Sequence, residues 1–285
     1  MAEIRRLAAQ RLTDVITHHG EGPVWSAADN RLDLVDMLAG VVVRLDPDTG
    51  AQDRLEIGSV AAALRPRTSG GIVVAAERSF VLIEADGGRT DLPDVWTDET
   101  IRFNDGGCDP DGRFYCGTMG YGGQQGRGTF YRLNVDHSVE QVFGHVTISN
   151  GFAFSPDGAR AYYIDTPTGR VDVFDYERGE LRDRRPCVPS AGHPDGLCVD
   201  IDGNLWVAQF GGASVRQYTP DGEQLAEVAV AARQVTACTF GGPDLDTLYI
   251  TTSRENLPAG EDPAAGSVFA VRPGVRGLPA LAYAG

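Results

Sequence analysis

Three short stretches of this sequence set an oxygen-bearing side chain directly before a glycine, at equal intervals. They are Asn104-Asp105-Gly106, Ser149-Asn150-Gly151 and Pro194-Asp195-Gly196, and each glycine follows the last by 45 residues. Glu21-Gly22 repeats the pattern 84 residues before Gly106, close to two such steps. If these side chains meet at one place, their carboxylates repel one another in a low-dielectric setting, and protons or a cation must offset the charge. Glu21, Asn150 and Asp195 offer only oxygen ligands, one neutral and two anionic. Such a set suits a hard ion such as Ca²⁺, Mg²⁺ or Mn²⁺, with Zn²⁺ also open. Three protein ligands leave positions for water and substrate, as a catalytic metal needs. The bland alternative is that each polar residue merely satisfies a turn or a strand end.

The elements that could bring them together are short strands. Each marker is followed, after four or five intervening residues, by an Asp-Gly turn and then a strand: Asp111-Gly112, Asp157-Gly158 and Asp202-Gly203. A repeat of this length with strands between turns is the signature of a β-propeller blade. Fainter copies run from Ala61 into Gly70-Gly71-Ile72 and from Thr236 into Asp246-Thr247-Leu248. Six copies in 285 residues give 47.5 residues each, enough for four strands and their turns. The expectation is therefore all-β: one domain over 1–285, a six-bladed β-propeller with four antiparallel strands per blade and a metal site in the central channel. Equivalent positions then form a ring of Glu21, Ala61, Asp105, Asn150, Asp195 and Thr236, with small neighbours required by crowding. Expected strands include 80–85, 130–133, 161–164, 171–174 and 267–271. The segment 12–17 is expected to pair with the C-terminal strands of 267–284, so that neither leaves an exposed edge.

Charge and composition remove several classes of partner. The formal charge of −15 disfavours nucleic acid and anionic membranes, both of which need a basic face. No segment has the length and apolarity of a signal peptide or a membrane span, and the expected location is the cytoplasm. Cys108, Cys116, Cys187, Cys198 and Cys238 form no C-x-x-C pair and are expected to be reduced core thiols. There is no Gly-x-Ser-x-Gly elbow, Walker loop or dinucleotide fingerprint. Trp25 and Trp206 are expected to pack between blades.

Gly20-Glu21-Gly22-Pro23-Val24-Trp25, Arg102-Phe103-Asn104-Asp105-Gly106, Ser149-Asn150-Gly151 with Ser155-Pro156-Asp157, Tyr162-Tyr163-Ile164-Asp165-Thr166 and Pro194-Asp195-Gly196 with Gly203-Asn204-Leu205-Trp206 occur in one order along the chain. In this the sequence resembles the senescence-marker-protein-30 (regucalcin)/gluconolactonase family across nearly its whole length. The resemblance implies a six-bladed, metal-dependent sugar lactonase with Glu21, Asn150 and Asp195 as metal ligands. It also implies Arg102 and Asn104 as substrate contacts. One divalent ion is expected, Ca²⁺ first, with Zn²⁺, Mn²⁺ or Mg²⁺ as alternatives. Asp195 would both fix the metal and act as general base toward water.

One departure concerns the substrate. After Gly117-Thr118-Met119, relatives carry an acidic residue that holds sugar hydroxyls, and here the chain runs Gly120-Tyr121-Gly122-Gly123-Gln124-Gln125-Gly126-Arg127-Gly128. Tyr121 or Gln124 are candidates to replace it, and the glycines suit either a mobile lid or a plain loop. Arg102 has a rival role as counter-charge to Asp105. His18, His19 and His193 are placed to line the channel mouth or shuttle a proton, or simply to be solvated. The expected partner is a small lactone, with no nucleic acid, no membrane, and a monomer or weak homo-oligomer. The alternatives are a hydrolase of another ester or phosphotriester, and a non-catalytic Ca²⁺-binding propeller.

Overall fold

The computed structural model of the protein describes residues 3–189 and 192–285. Six antiparallel sheets follow one another along the chain, each built outward from an inner strand. The inner strands are Gly20–Ser26, Ala63–Pro66, Ile101–Cys108, Ser149–Phe154, His193–Val199 and Val235–Gly241. Each packs against the next, and the sixth packs against the first, so the sheets close around a channel. This is the expected six-bladed β-propeller, with four antiparallel strands in each blade. No helix of the described residues is long and apolar enough to cross a membrane.

Closure differs in detail from the expectation. The N-terminal strand that completes blade six is Gln10–Arg11, paired antiparallel with Phe269–Val271, and residues 12–17 lie beyond it. Only that short run of 267–284 is a strand; the chain then continues to Tyr283, which bridges to Arg67 of blade two. The chain also uses its start twice. Arg5–Ala8 adds to the outer strand Gln224–Ala229 of blade five in parallel register, giving that blade a fifth strand and covering an edge.

Aromatic side chains fill the wedges between blades. Trp25 of blade one stacks on Tyr249 of blade six at 5.8 Å, and Trp206 of blade five meets Phe240 of blade six edge-on at 5.7 Å, as expected from sequence. Between blades three and four Phe130 lies 5.1 Å from Phe152 and 5.0 Å from Tyr163. All five cysteines are free thiols. Cys198 and Cys238, on neighbouring inner strands, are 3.7 Å apart at sulfur.

The ring markers prove to be β-bulges. Strand register slips between Glu21 and Val24, Phe103 and Gly106, Asn150 and Phe152, Pro194 and Leu197, and Val235 and Cys238. Only blade two, the faint copy, runs in continuous register from Ala63 to Pro66. A bulge twists its strand and re-aims the side chain beside it, which explains why a polar residue at the bulge enters the channel. The bulge brings backbones close, and there glycine is a spatial need. A Cβ on Gly106 would stand 1.9 Å from the Tyr115 carbonyl oxygen, and one on Gly196 2.5 Å from the Ala237 Cβ. Gly106→Ala is therefore expected to cost about 3 kcal/mol, at the upper end of overpacking penalties, because the obstacle is backbone. Urea denaturation would show it, and an unchanged midpoint would contradict the close approach.

Candidate active site

Two aspartates set the entry of the chain into opposite sides of the ring. Asp36 accepts hydrogen bonds from the His18 and His19 amides at 3.0 Å just before Glu21. Asp165 accepts from the Ile148 amide at 2.9 Å and from Thr147, just before Asn150. Both follow an apolar pair at the end of a second strand, Leu34-Val35 and Tyr163-Ile164. Their matched blade position is the sequence signal that reasoning on ring residues alone passed over.

Glu21, Asn150 and Asp195 are each buried, at 3%, 4% and 6% exposure. The Asn150 amide nitrogen donates to Thr166 Oγ1 at 2.6 Å, and that hydroxyl donates to the Pro194 carbonyl at 2.8 Å. This relay ties the Asn150 side chain to the residue preceding Asp195. Among the described residues Glu21 Oε2 accepts only from the Gly22 amide, at 2.7 Å. The Asp195 carboxylate takes no hydrogen bond from any described residue. Burial, then Asp105, pushes the Glu21 carboxyl up to about 8. Burial, then Glu21, Asp105 and Glu255, pushes Asp195 well above the usual carboxylate range. These carboxyls thus sense one another's charge, as converging side chains must.

The chemistry of this set fits a cation. Two buried carboxylates that repel each other, beside an amide oxygen that already accepts from Asn104, form a set that a hard divalent ion would stabilise. Among the described residues no three His, Cys, Asp or Glu side chains gather as a metal cluster; the candidate ligands here include an amide, which such a cluster does not.

Arg102 and Asn104 form the adjoining wall. Asn104 Nδ2 donates to Asn150 Oδ1 at 2.9 Å and to the Ser149 carbonyl at 2.8 Å. Its Oδ1 accepts from Arg102 at 2.6 Å, and the same guanidinium nitrogen reaches the Phe103 carbonyl at 3.0 Å. Arg102 is 4% exposed, and its Nε is buried with no partner. A buried donor left open costs about 1–3 kcal/mol. The counter-charge to Asp105 is supplied by Arg65 of blade two, which bonds the Gly106 carbonyl, whereas the field of Arg102 acts on Glu21. That corrects the rival role considered for Arg102.

The remaining candidates separate. Tyr121 stands over Arg102, its ring centroid 5.8 Å from Cζ. Gln124 instead folds back on its own loop, so close to Gly120 that a Cβ there would lie 2.2 Å from Gln124 Oε1. The loop is tethered: Tyr121 N–H donates to the Thr100 carbonyl at 3.0 Å, Arg127 pairs with Asp98 at 2.7 Å, and the Gly126 amide reaches Thr147 Oγ1 at 3.2 Å. His19 is buried, 2.7 Å from Ser253 Oγ, and held neutral, its pKa lowered to about 3 by burial and then by Arg102 and His18. His193 is exposed. Thr236 spends its hydroxyl on the Gly20 carbonyl at 2.6 Å, joining blade six to blade one. Ala61 brings no polar group.

Farther along the channel lies a cavity of about 450 Å³ lined by Pro23, Cys108, Phe152, Leu197, Cys198 and Cys238. It touches none of the candidate ligands, and its polar lining is Arg65, Ser155, Asp157 and Thr239.

The bulged ring of oxygen-bearing side chains thus lies beside a buried Arg-Asn pair, and comparison with known proteins decides the lineage. The sequence model of the SMP-30/gluconolactonase/LRE-like region matches residues 19–254. The chain belongs to this family. It is 38% identical over 276 residues to a 6-deoxy-6-sulfogluconolactonase of Pseudomonas putida, covering 93% of this chain and 95% of that one. Pig (Sus scrofa) regucalcin is 36% identical over 285 residues, with 94% and 95% covered. Among solved structures, a calcium-binding regucalcin of Agrobacterium tumefaciens superposes with a TM-score of 0.92 at 26% identity, covering 99% of both chains. The family member described here therefore shares its whole propeller with these relatives.

Proposed function

We propose that this protein is a divalent-metal-dependent lactonase that opens a sugar lactone to the sugar acid. The observation that supports the reading is the pair of buried carboxylates, Glu21 and Asp195, the first raising the pKa of the second, with Asn150 bonded through Asn104 to Arg102 beside them. Relatives named as sugar lactonases support the reaction class, and the relative named as calcium-binding supports Ca²⁺ as the first ion to test.

Glu21, Asn150 and Asp195 would hold the ion, which when bound supplies a Lewis acid for the lactone carbonyl. The Arg102 guanidinium, held by Asn104 Oδ1, forms one wall and would donate to a substrate oxygen to fix the ring. Asp195, with no hydrogen bond to spend from the protein, can accept a proton as water attacks the carbonyl carbon. It then returns that proton to the ring oxygen as the carbon–oxygen bond breaks. The Thr166 relay keeps Asn150 in place during both steps, and neutral His19 adds no positive charge that would compete for Asp195.

The reading is tested by proton release from pentono- and hexono-lactones, a simple ester and a phosphotriester, with chelated protein and with Ca²⁺, Mg²⁺, Mn²⁺ or Zn²⁺ restored singly. Metal-dependent opening of a sugar lactone above the spontaneous rate is expected. Turnover of the phosphotriester alone would replace the lactonase reading, and background rates throughout with metal bound would favour the non-catalytic propeller.

A further inference from the structure

A carboxylate from another blade reaches the mouth of this site. Glu77 follows the second strand of blade two, and its carbonyl accepts the Phe103 amide at 2.9 Å, at the residue between Arg102 and Asn104. Its side chain accepts hydrogen bonds from the Tyr121 hydroxyl and, at 2.9 Å, from Ser59 Oγ. Tyr121 in turn covers Arg102. Glu77 forms no ion pair among the described residues, so its charge stands unneutralised by a direct partner. A carboxylate offers about four lone-pair sites, and two are in use. Tyr121 is 47% exposed, and burial together with Glu77 pushes its pKa up to about 12, which keeps it a hydroxyl at neutral pH. Glu255 adds a second acidic group facing Glu21 and Asp195.

We propose that Glu77 and Tyr121 form the subsite for the hydroxyl groups remote from the ester, and that the substrate is consequently a neutral polyhydroxylated lactone. This rests on the lactonase reading of the same channel. A hydroxyl can donate to the free lone pairs of Glu77 and to Tyr121, and a charge-assisted bond of this kind is worth tenfold or more in affinity. A sulfonate or phosphate at the same position meets a fixed carboxylate and is repelled. The selection for neutral substrates thus comes from a residue on blade two, in front of a loop that carries no acidic side chain of its own.

The test uses the metal-loaded protein and its Glu77→Gln and Tyr121→Phe variants with glucono-1,5-lactone, its 6-phosphate and δ-valerolactone. Both variants should raise KM for gluconolactone about tenfold, with a smaller loss on δ-valerolactone, which has no hydroxyls to place. Glu77→Gln should also narrow the preference for neutral over phosphorylated lactone about tenfold. Binding of 1,5-anhydroglucitol, which has ring hydroxyls and no ester, is measured by calorimetry and should weaken in both variants. Equal losses on both uncharged lactones would reduce the pair to a loop anchor, and a wild-type preference for the 6-phosphate would overturn the proposal. If no lactone opens yet the anhydroglucitol data hold, the lactonase reading falls and the polyol subsite stands. If lactones open with KM and polyol binding unchanged in the variants, the subsite falls alone.

Discussion

Asp195→Asn is expected to lose about 10³-fold of kcat for lactone opening while the metal-free protein becomes more stable than wild type. Removing a general base typically costs 10²–10⁴-fold, and an amide at this position keeps the shape of the side chain but cannot take up the proton. The stability half of the expectation comes from electrostatics. Asp195, Glu21 and Asp105 are buried; burial raises all three, Asp105 further raises Glu21, and both of these raise Asp195, so without a cation the ionised carboxylates destabilise the fold. Replacing one of three removes two repulsive pairs. The two effects together separate catalysis from damage, because a variant that simply misfolds loses activity and stability at once. Kinetics on a sugar lactone and a thermal melt in chelator would check both, and activity within tenfold of wild type would remove Asp195 from the proton-transfer role.

Much of this arrangement was readable because the ring residues sit at bulges, and glycine is required there by close approach at Gly106, Gly151 and Gly196 and by a positive φ at Gly22. Gly22, Gly106, Gly151 and Gly196 therefore reported both the fold and the height of the site. Blade two lacks the bulge, which is why its copy looked faint, yet it supplies Arg65 as counter-charge to Asp105 and Glu77 as partner to Tyr121. Neither role has a local signal, since each depends on which blades lie side by side. Glu255 escaped notice for the same reason: it follows the second strand of blade six, lies 3.4 Å from His19 of neighbouring blade one, and its charge acts on Glu21 and Asp195. The Tyr121 loop shows the reverse problem. Five glycines read equally well as a lid or a loop, and the tethers at Thr100, Asp98 and Thr147 come from residues distant in sequence. Tyr121, which the sequence offered beside Gln124 as a replacement contact, reaches the site wall, while Gln124 turns away from it.

Chelation should abolish activity and shift stability in a direction that depends on pH. With the carbonyl no longer polarised, a loss of several kcal/mol of transition-state stabilisation, about 10²–10⁴-fold in kcat, is expected. A divalent ion at 100 times its Kd stabilises the folded state by about 2.7 kcal/mol, or roughly 5 °C for a domain of this size. The metal-free protein should then lose stability as pH rises from about 5 to 8. The sign follows from proton counts. Glu21 titrates near 8 when folded against an ordinary 4.5, so between those values the folded chain holds more protons than the unfolded one, and the stability slope with pH is negative. Divalent ion reverses this trend by favouring the ionised carboxylates, hence its stabilisation should grow with pH over the same window. Glu21→Gln should flatten the pH dependence in chelator and shrink the metal-induced shift together. Melting curves at pH 5, 6.5 and 8 with and without Ca²⁺ decide the matter: a metal shift that is absent, or that is the same size at all three pH values, would mean that these carboxylates do not hold the ion.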